Sequence, residues 1–130
     1  MPSIFTRIIN REIPADIIYE DDVCIAILDI NPVQKGHVLV IPKQELPWMD
    51  EYGDEIVAYC MVIAKKLMKH MKSVMSDIHF VYLAVEWLEV PHRHIHLIPY
   101  PQHPADKPRF DRMSYNQWEA QSYTDLLKMN

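Results

Sequence analysis

Hydrophobic positions along this chain follow two periods. Over residues 50–75, Ile56, Tyr59, Ile63, Leu67, Met71 and Val74 recur at steps of three and four, which predicts one long helix with an apolar face. Asp50, Glu51, Asp54 and Glu55 come early in it, and Lys65, Lys66, Lys69, His70 and Lys72 come late, the order that complements a helix dipole. Its methionines read as core packing rather than as a ligand box. A shorter helix is predicted over 3–10, with Ser3 as N-cap and Ile4, Phe5, Ile8 and Ile9 at helical spacing. The remaining apolar runs are β-like. "DIIYE" (16–20) and "VCIAILDI" (23–30) flank the pair Asp21-Asp22, a hairpin signal. "NPVQKG" (31–36) is a loop, and "HVLVIP" (37–42) reads as a strand buried on both faces. Two more strands are expected at "IHFVYLAV" (78–85) and "HRHIHLIPY" (92–100). "PQHPADKPR" (101–109) is an extended loop, and residues 114–128 predict a tail helix with Trp118, Tyr123 and Leu126 or Leu127 on its apolar side. The fold class is therefore α+β: hairpin, strand, long helix, two strands, tail.

Composition narrows the function classes. With 130 residues and 49% hydrophobic content, one domain with one ordinary core is expected. A net charge of -5 argues against a general nucleic-acid binder, which needs a basic face to replace phosphate counterions. A small phosphorylated ligand stays compatible, because local dipoles bind phosphate without net positive charge. No apolar run approaches the roughly 20 residues of a membrane span, and "MPSIFTRIINREIPADI" lacks the apolar stretch of a signal peptide. Cys24 and Cys60 form no CxxC and read as buried small hydrophobes. A cytoplasmic setting is the expectation.

The chemistry concentrates in "VPHRHIHLIPY" (90–100). In a strand, side chains two apart share a face. Val90, His92, His94, His96 and Ile98 then face one way, and Arg93, Ile95 and Leu97 the other. Three readings compete. One is a partly exposed polar face. Another is a metal site, with HxH giving two nitrogen ligands and His37, His79 or a cysteine the rest. The third is catalytic: one neutral imidazole offers a lone pair near pH 7 while a backbone carbonyl fixes its second nitrogen.

The segment "HRHIHLIP" resembles the HxHxHxx signature of the histidine triad (HIT) family of nucleotide hydrolases and transferases. "SIFTRIINREIPADIIYEDDVCIAILDINPVQKGHVLVIPK" (3–43) is similar to that family's N-terminal half nearly throughout. The resemblance implies an antiparallel sheet of about five strands with one long helix and a short N-terminal helix. It implies a HIT domain over 1–100 with a C-terminal extension over 101–130, and a homodimer formed through the long helix and a sheet edge. It also implies a purine nucleotide or nucleotide conjugate as ligand, with no cofactor. By the same resemblance His94 is the nucleophile at the α-phosphate, the His92 carbonyl orients it, and His96 hydrogen-bonds the phosphate. Asp29 accepts the ribose hydroxyls, and Phe5, Ile8, Ile30 and Leu39 surround the base. Glu89 lies near the phosphate. The implied activity is hydrolysis of nucleoside phosphoramidates or related conjugates. The alternatives are a non-catalytic nucleotide-binding or scaffold protein and a dinucleoside polyphosphate hydrolase.

Two departures from the family pattern stand out. Zinc-containing relatives carry CxxC where this chain has Ser3-Ile4-Phe5-Thr6, and a histidine where it has Glu45, so no metal is expected. The segment before the triad, "LAVEWLEVPH" (83–92), is short and lacks the glycines that let backbone N–H groups approach phosphate. Glu86 and Glu89 add negative charge there. The nucleophile and the ribose acid are kept, while the leaving-group side is rebuilt. Tyr115 and Trp118 of the tail are placed either near the site or on a dimer surface.

Overall fold

The computed structural model describes residues 2–86, 90, 92–101 and 109–129. The expectations for Glu89, for the rest of the 87–89 segment and for 102–108 of the proline-rich loop lie outside those residues. Elements follow in the order α1 (Ile4–Ile9), β1 (Ile17–Glu20), β2 (Cys24–Leu28), β3 (Val38–Pro42), α2 (Asp54–Val74), β4 (Phe80–Glu86), β5 (His94–Tyr100) and α3 (Glu119–Leu127). Among the described residues the strands form one antiparallel sheet in the order β1-β2-β3-β5-β4. This is the α+β architecture expected from the sequence.

Local chemistry sets the elements. Ser3 caps α1 by accepting the Thr6 amide at 3.1 Å. The β1–β2 turn is built on Asp21, which accepts the amides of Val23 at 2.8 Å and Cys24 at 2.9 Å and the hydroxyls of Tyr19 and Tyr59. Burial alone would raise the Asp21 carboxyl, but these donors outweigh it and hold it at about 2. The long helix is shorter than predicted: Gly53 is its N-cap in extended backbone, and Asp50 and Glu51 belong to a separate 3-10 turn at Met49–Glu51. Asp54 and Glu55 alone supply the acidic first turn. Gly36 ends the loop before β3 at φ +96, where a side chain is strained and its Cβ would stand 3.0 Å from Met75 Cε.

Strand alternation divides the sheet into two faces. Cys24, Ala26, Leu28, Val38, Val40, Ile95 and Leu97 pack against Ile63, Leu67 and Met71 of α2. Loss of one such fully buried side chain costs about 2–5 kcal/mol. Cys24 and Cys60 meet within this layer as buried free thiols, and the contact with Cys60 together with burial pushes the Cys24 thiol up. On the opposite face Ile25, Ile27, Leu39 and Ile41 pack under Phe5 and Ile8 of α1. Leu127 of α3 is fully buried in the α2 layer, so the C-terminal helix shares the main core.

The tail differs from its prediction. The helix begins at Glu119, not 114, because Trp118 sits in the left-handed region at φ 72. Trp118 is 77% exposed and Leu126 faces outward, so only Tyr123 and Leu127 of the expected side meet the core. The last strand also starts late. It begins at His94, leaving His92 in a turn closed by its own N–H to the Val90 carbonyl at 2.7 Å. No helix among the described residues is long and apolar enough to cross a membrane.

Candidate active site

Histidines 94 and 96 stand on the α1 side of β5, with His96 opposite Leu39 of β3 and Ala84 of β4. They come within 4.8 Å of one another, ring centre to ring centre. Phe5 packs edge-on against the His94 ring at 4.9 Å and against His92 at 5.8 Å. These rings are almost fully buried, and their hydrogen bonds fix which nitrogen holds each proton.

His94 Nδ1 lies 2.7 Å from the His92 carbonyl oxygen. A carbonyl only accepts, so Nδ1 carries the proton, and in the neutral tautomer this sets, the lone pair is on Nε2. His37 Nδ1 accepts the Val33 amide at 3.1 Å. Its proton is then on Nε2, which donates to His96 Nδ1 at 2.8 Å. That leaves the His96 proton on Nε2, as a donor. Burial pushes His37 down to about 3, with Arg112 and His94 adding to the effect. His96 is likewise pushed to about 3 by burial and then by His37 and His94. Both rings are neutral near pH 7.

His92 is held by a different part of the chain. Its Nε2 donates to the Pro42 carbonyl at 2.7 Å, and its Nδ1 accepts the Ser3 hydroxyl at 2.8 Å. Glu45 accepts the Ser3 amide at 2.7 Å and also the Thr6 hydroxyl. Those bonds, Thr6 first, keep the Glu45 carboxyl below its ordinary value. Ser3 thus caps α1 and anchors the buried ring that precedes the strand. Ser3→Ala removes a cap and strands a buried nitrogen, so a loss of about 2 kcal/mol is expected in urea unfolding. A change within error of zero would contradict this double role.

Asp29 lies past the end of β2. Its Oδ1 accepts the Asn31 amide at 2.9 Å and its Oδ2 accepts Arg112 Nη1 at 2.8 Å. Asp29, His94, His96, Phe5 and Arg112 line one open cavity of about 660 Å³. Of the other apolar positions expected around a base, Ile8 and Leu39 form the buried layer behind Phe5. Ile30 is 66% exposed and outside the cavity lining. Ile4 and Val90 line the cavity instead.

Sequence reasoning gave His37 only as a possible metal ligand and missed Arg112 altogether. His37 had a usable signal, a histidine opening a strand otherwise made of apolar residues. Arg112 stands 83 positions from Asp29 with no local spacing to reveal it. The segment carrying it runs along the 29–36 loop: Met113 N–H donates to the Pro32 carbonyl at 2.8 Å, Gly36 N–H donates to the Tyr115 hydroxyl at 3.1 Å, and Lys35 pairs with Glu119 at 2.8 Å.

Two clusters bear on metal binding. Ser3, Thr6 and Glu45 gather beside His92, but they offer two hydroxyls and one carboxylate already bonded to one another and no thiolate. That donor set does not fit zinc. The ligand atoms of Asp29, His37 and His96 lie within 4.8 Å of one another. There the facing nitrogens of the two histidines are joined through a proton, which a metal would have to displace.

Comparison with known proteins agrees with this fold. A HIT-like protein of Methanocaldococcus jannaschii is 40% identical over 99 residues, spanning 74% of this chain and 77% of that protein. The adenosine 5′-monophosphoramidase of Saccharomyces cerevisiae is 38% identical over 96 residues, spanning 74% of this chain and 61% of the yeast protein. The crystal structure of a histidine triad nucleotide-binding protein of Sulfolobus tokodaii superposes with a TM-score of 0.81 at 26% identity, covering 95% of this chain and 87% of that one. A family model of the HIT domain matches residues 10–103, the span that holds β1 to β5 and all three histidines, and the chain belongs to the HIT family.

Proposed function

We propose that this protein hydrolyses nucleoside phosphoramidates or related purine nucleotide conjugates at the α-phosphate, through a nucleotidyl intermediate on His94. The observation that carries this reading is the His94 ring, which lines the cavity with its Nδ1 proton tied to the His92 carbonyl and a lone pair left on Nε2. The Nε2 lone pair attacks phosphorus, a P–N bond forms, and the bond to the leaving group breaks with its electron pair. Water then cleaves that P–N bond and gives the nucleoside monophosphate. An amine leaving group takes one proton from solvent as it departs, and hydrolysis of the nucleotidyl-imidazolium releases one proton to solvent, so His94 keeps its Nδ1 proton and ends neutral. His96, with its proton on Nε2, donates to a phosphate oxygen.

Asp29 accepts the ribose hydroxyls in this reading. Each of its oxygens already holds one donor, and a carboxylate has about four lone-pair sites, so room for a diol remains. The name of the yeast relative, a monophosphoramidase, supports the substrate class. Hydrolysis of adenosine 5′-phosphoramidate and its 2′-deoxy counterpart tests the assignment. Asp29→Ala is expected to raise KM for the ribonucleotide about 10- to 100-fold, as loss of charge-assisted hydrogen bonds does, and to affect the deoxy substrate far less. Equal losses would remove Asp29 from the ribose site.

The same reading includes a homodimer through the long helix and a sheet edge, and Val62 is an exposed apolar residue on α2. It takes 1–100 as the HIT domain and 101–130 as an extension. A cytoplasmic setting suits the buried thiols of Cys24 and Cys60.

A further inference from the structure

We infer that Arg112 is a positioning residue for ribose recognition: it holds the Asp29 carboxylate in place at the cavity, and the segment 109–119 is the strap that fixes it there. This rests on the assignment of Asp29 to the ribose above, and on no step of the hydrolysis. The matched HIT domain ends at residue 103, so this support of the site comes from outside it. The strap is pinned at both ends. At its start the hydroxyl of buried Tyr100 donates to the Arg109 carbonyl at 2.6 Å. At its end Glu119 pairs with Lys35 at 2.8 Å, and the helix that follows is anchored in the core by Leu127. Between the ends Arg112 Nη1 donates to Asp29 and to the Asn31 carbonyl, Met113 N–H donates to the Pro32 carbonyl, and the Tyr115 hydroxyl accepts the Gly36 N–H. From Arg112 to Glu119 these partners all lie within 29–36, the loop that opens with the ribose acid and runs into His37.

The carboxylate needs such a holder. Asp29 Oδ2 lies 3.8 Å from His37 Nε2, whose proton is engaged with His96 Nδ1 at 2.8 Å. Without a cation beside it the carboxylate would turn toward that N–H, because a charged acceptor makes a stronger bond than a neutral imidazole nitrogen. Asp29 would then be drawn from the ribose and the His37–His96 pair would be broken. Arg112 Nη1, 2.8 Å from the same oxygen, supplies a charged donor in its place. The guanidinium is itself fixed, since Nη1 also donates to the Asn31 carbonyl at 2.8 Å, and Asn31 N–H donates to Asp29 Oδ1 at 2.9 Å. The three groups close a circuit that holds the carboxylate at both oxygens. A group held this way has little freedom left to lose when a diol binds, which is how preorganisation raises affinity.

Equilibrium binding of AMP and 2′-deoxy-AMP to the whole chain tests this, in the wild-type protein and in Arg112→Ala, Arg112→Lys and Asp29→Ala. The ratio of the two Kd values cancels losses that fall on base and phosphate alike. The wild type is expected to favour AMP. Arg112→Ala is expected to shrink that preference about 5- to 10-fold, the worth of roughly one hydrogen bond, by weakening AMP. Arg112→Lys keeps a charged donor for Asp29 and should recover part of the preference. An ion pair made by a partly exposed arginine adds little to stability, so the variants are expected to fold, and thermal melts check it. A purely structural role would weaken both nucleotides equally. That result, or an unchanged ratio, overturns the positioning role, while a collapse of the ratio in Asp29→Ala would still uphold the ribose acid. Tighter AMP binding in Arg112→Ala overturns it too, by showing that Arg112 competes with the ribose. No preference for AMP in the wild type defeats the ribose assignment of Asp29 and this inference with it.

Discussion

Replacing His94 with alanine is expected to lower the turnover of adenosine 5′-phosphoramidate by about 10⁴-fold or more, which is about 5 kcal/mol of barrier. A nucleophile has no stand-in. His96 presents a proton rather than a lone pair on Nε2, and both nitrogens of His92 are engaged, one by Ser3 and one by Pro42. The substitution empties a buried volume against Phe5, so some stability is lost as well, about 1–3 kcal/mol. Circular dichroism and AMP binding separate the two effects: the variant is expected to fold and bind AMP while turnover disappears. Turnover near the wild-type level would end the covalent mechanism.

Acid should unfold this protein early. His37, His92 and His96 all have folded-state pKa values below that of an exposed histidine, with burial as the leading cause. The unfolded chain therefore binds more protons than the folded one below about pH 6.5, and stability falls as pH falls. Above that pH the contribution is fully present. For His37 and His96, each pushed to about 3, the loss at pH 5 is roughly 2 kcal/mol per ring, continuing down toward pH 3. Against a total stability of about 5–15 kcal/mol this is a large fraction. An unfolding midpoint between about pH 4 and 5 is expected from urea titrations at a series of pH values, on the reasoning that two to three protons are taken up together. Asp21, held at about 2, and Glu45 add their own losses only at lower pH. His37→Gln should flatten the limb between pH 6.5 and 4 while lowering stability at pH 7. A stability curve flat from pH 7 to 4.5 would mean that the buried rings do not control acid sensitivity.

Much of the fold was legible because its two periods are strong. Ile63, Leu67 and Met71 announced the face of α2, and the unbroken apolar run of 37–42 announced a strand buried on both faces. The errors lie at element ends, where single residues decide. Gly53 cut the helix, Trp118 took a left-handed conformation, and His92 left the strand for a turn. The last changes the chemistry: strand alternation put His92 on one face with His94, whereas its ring is positioned by Ser3 and Pro42. Ile30, which the resemblance places around the base, is 66% exposed. Arg112 and Glu45 act through partners 83 and 42 positions away, and no periodicity carries such information.

The anchoring of His92 by Ser3 bears on how this protein is cut and tagged. A fragment trimmed to residues 10–103 would satisfy the family model and keep every triad histidine. It would also discard the hydroxyl that holds the first of them, the ring of Phe5 against the second, and the arginine beside the third. Such a fragment would carry the signature intact and its geometry unsupported. An affinity handle fused directly ahead of Ser3 would press on the same cap, so measurements of activity belong on a chain whose first helix is left untouched.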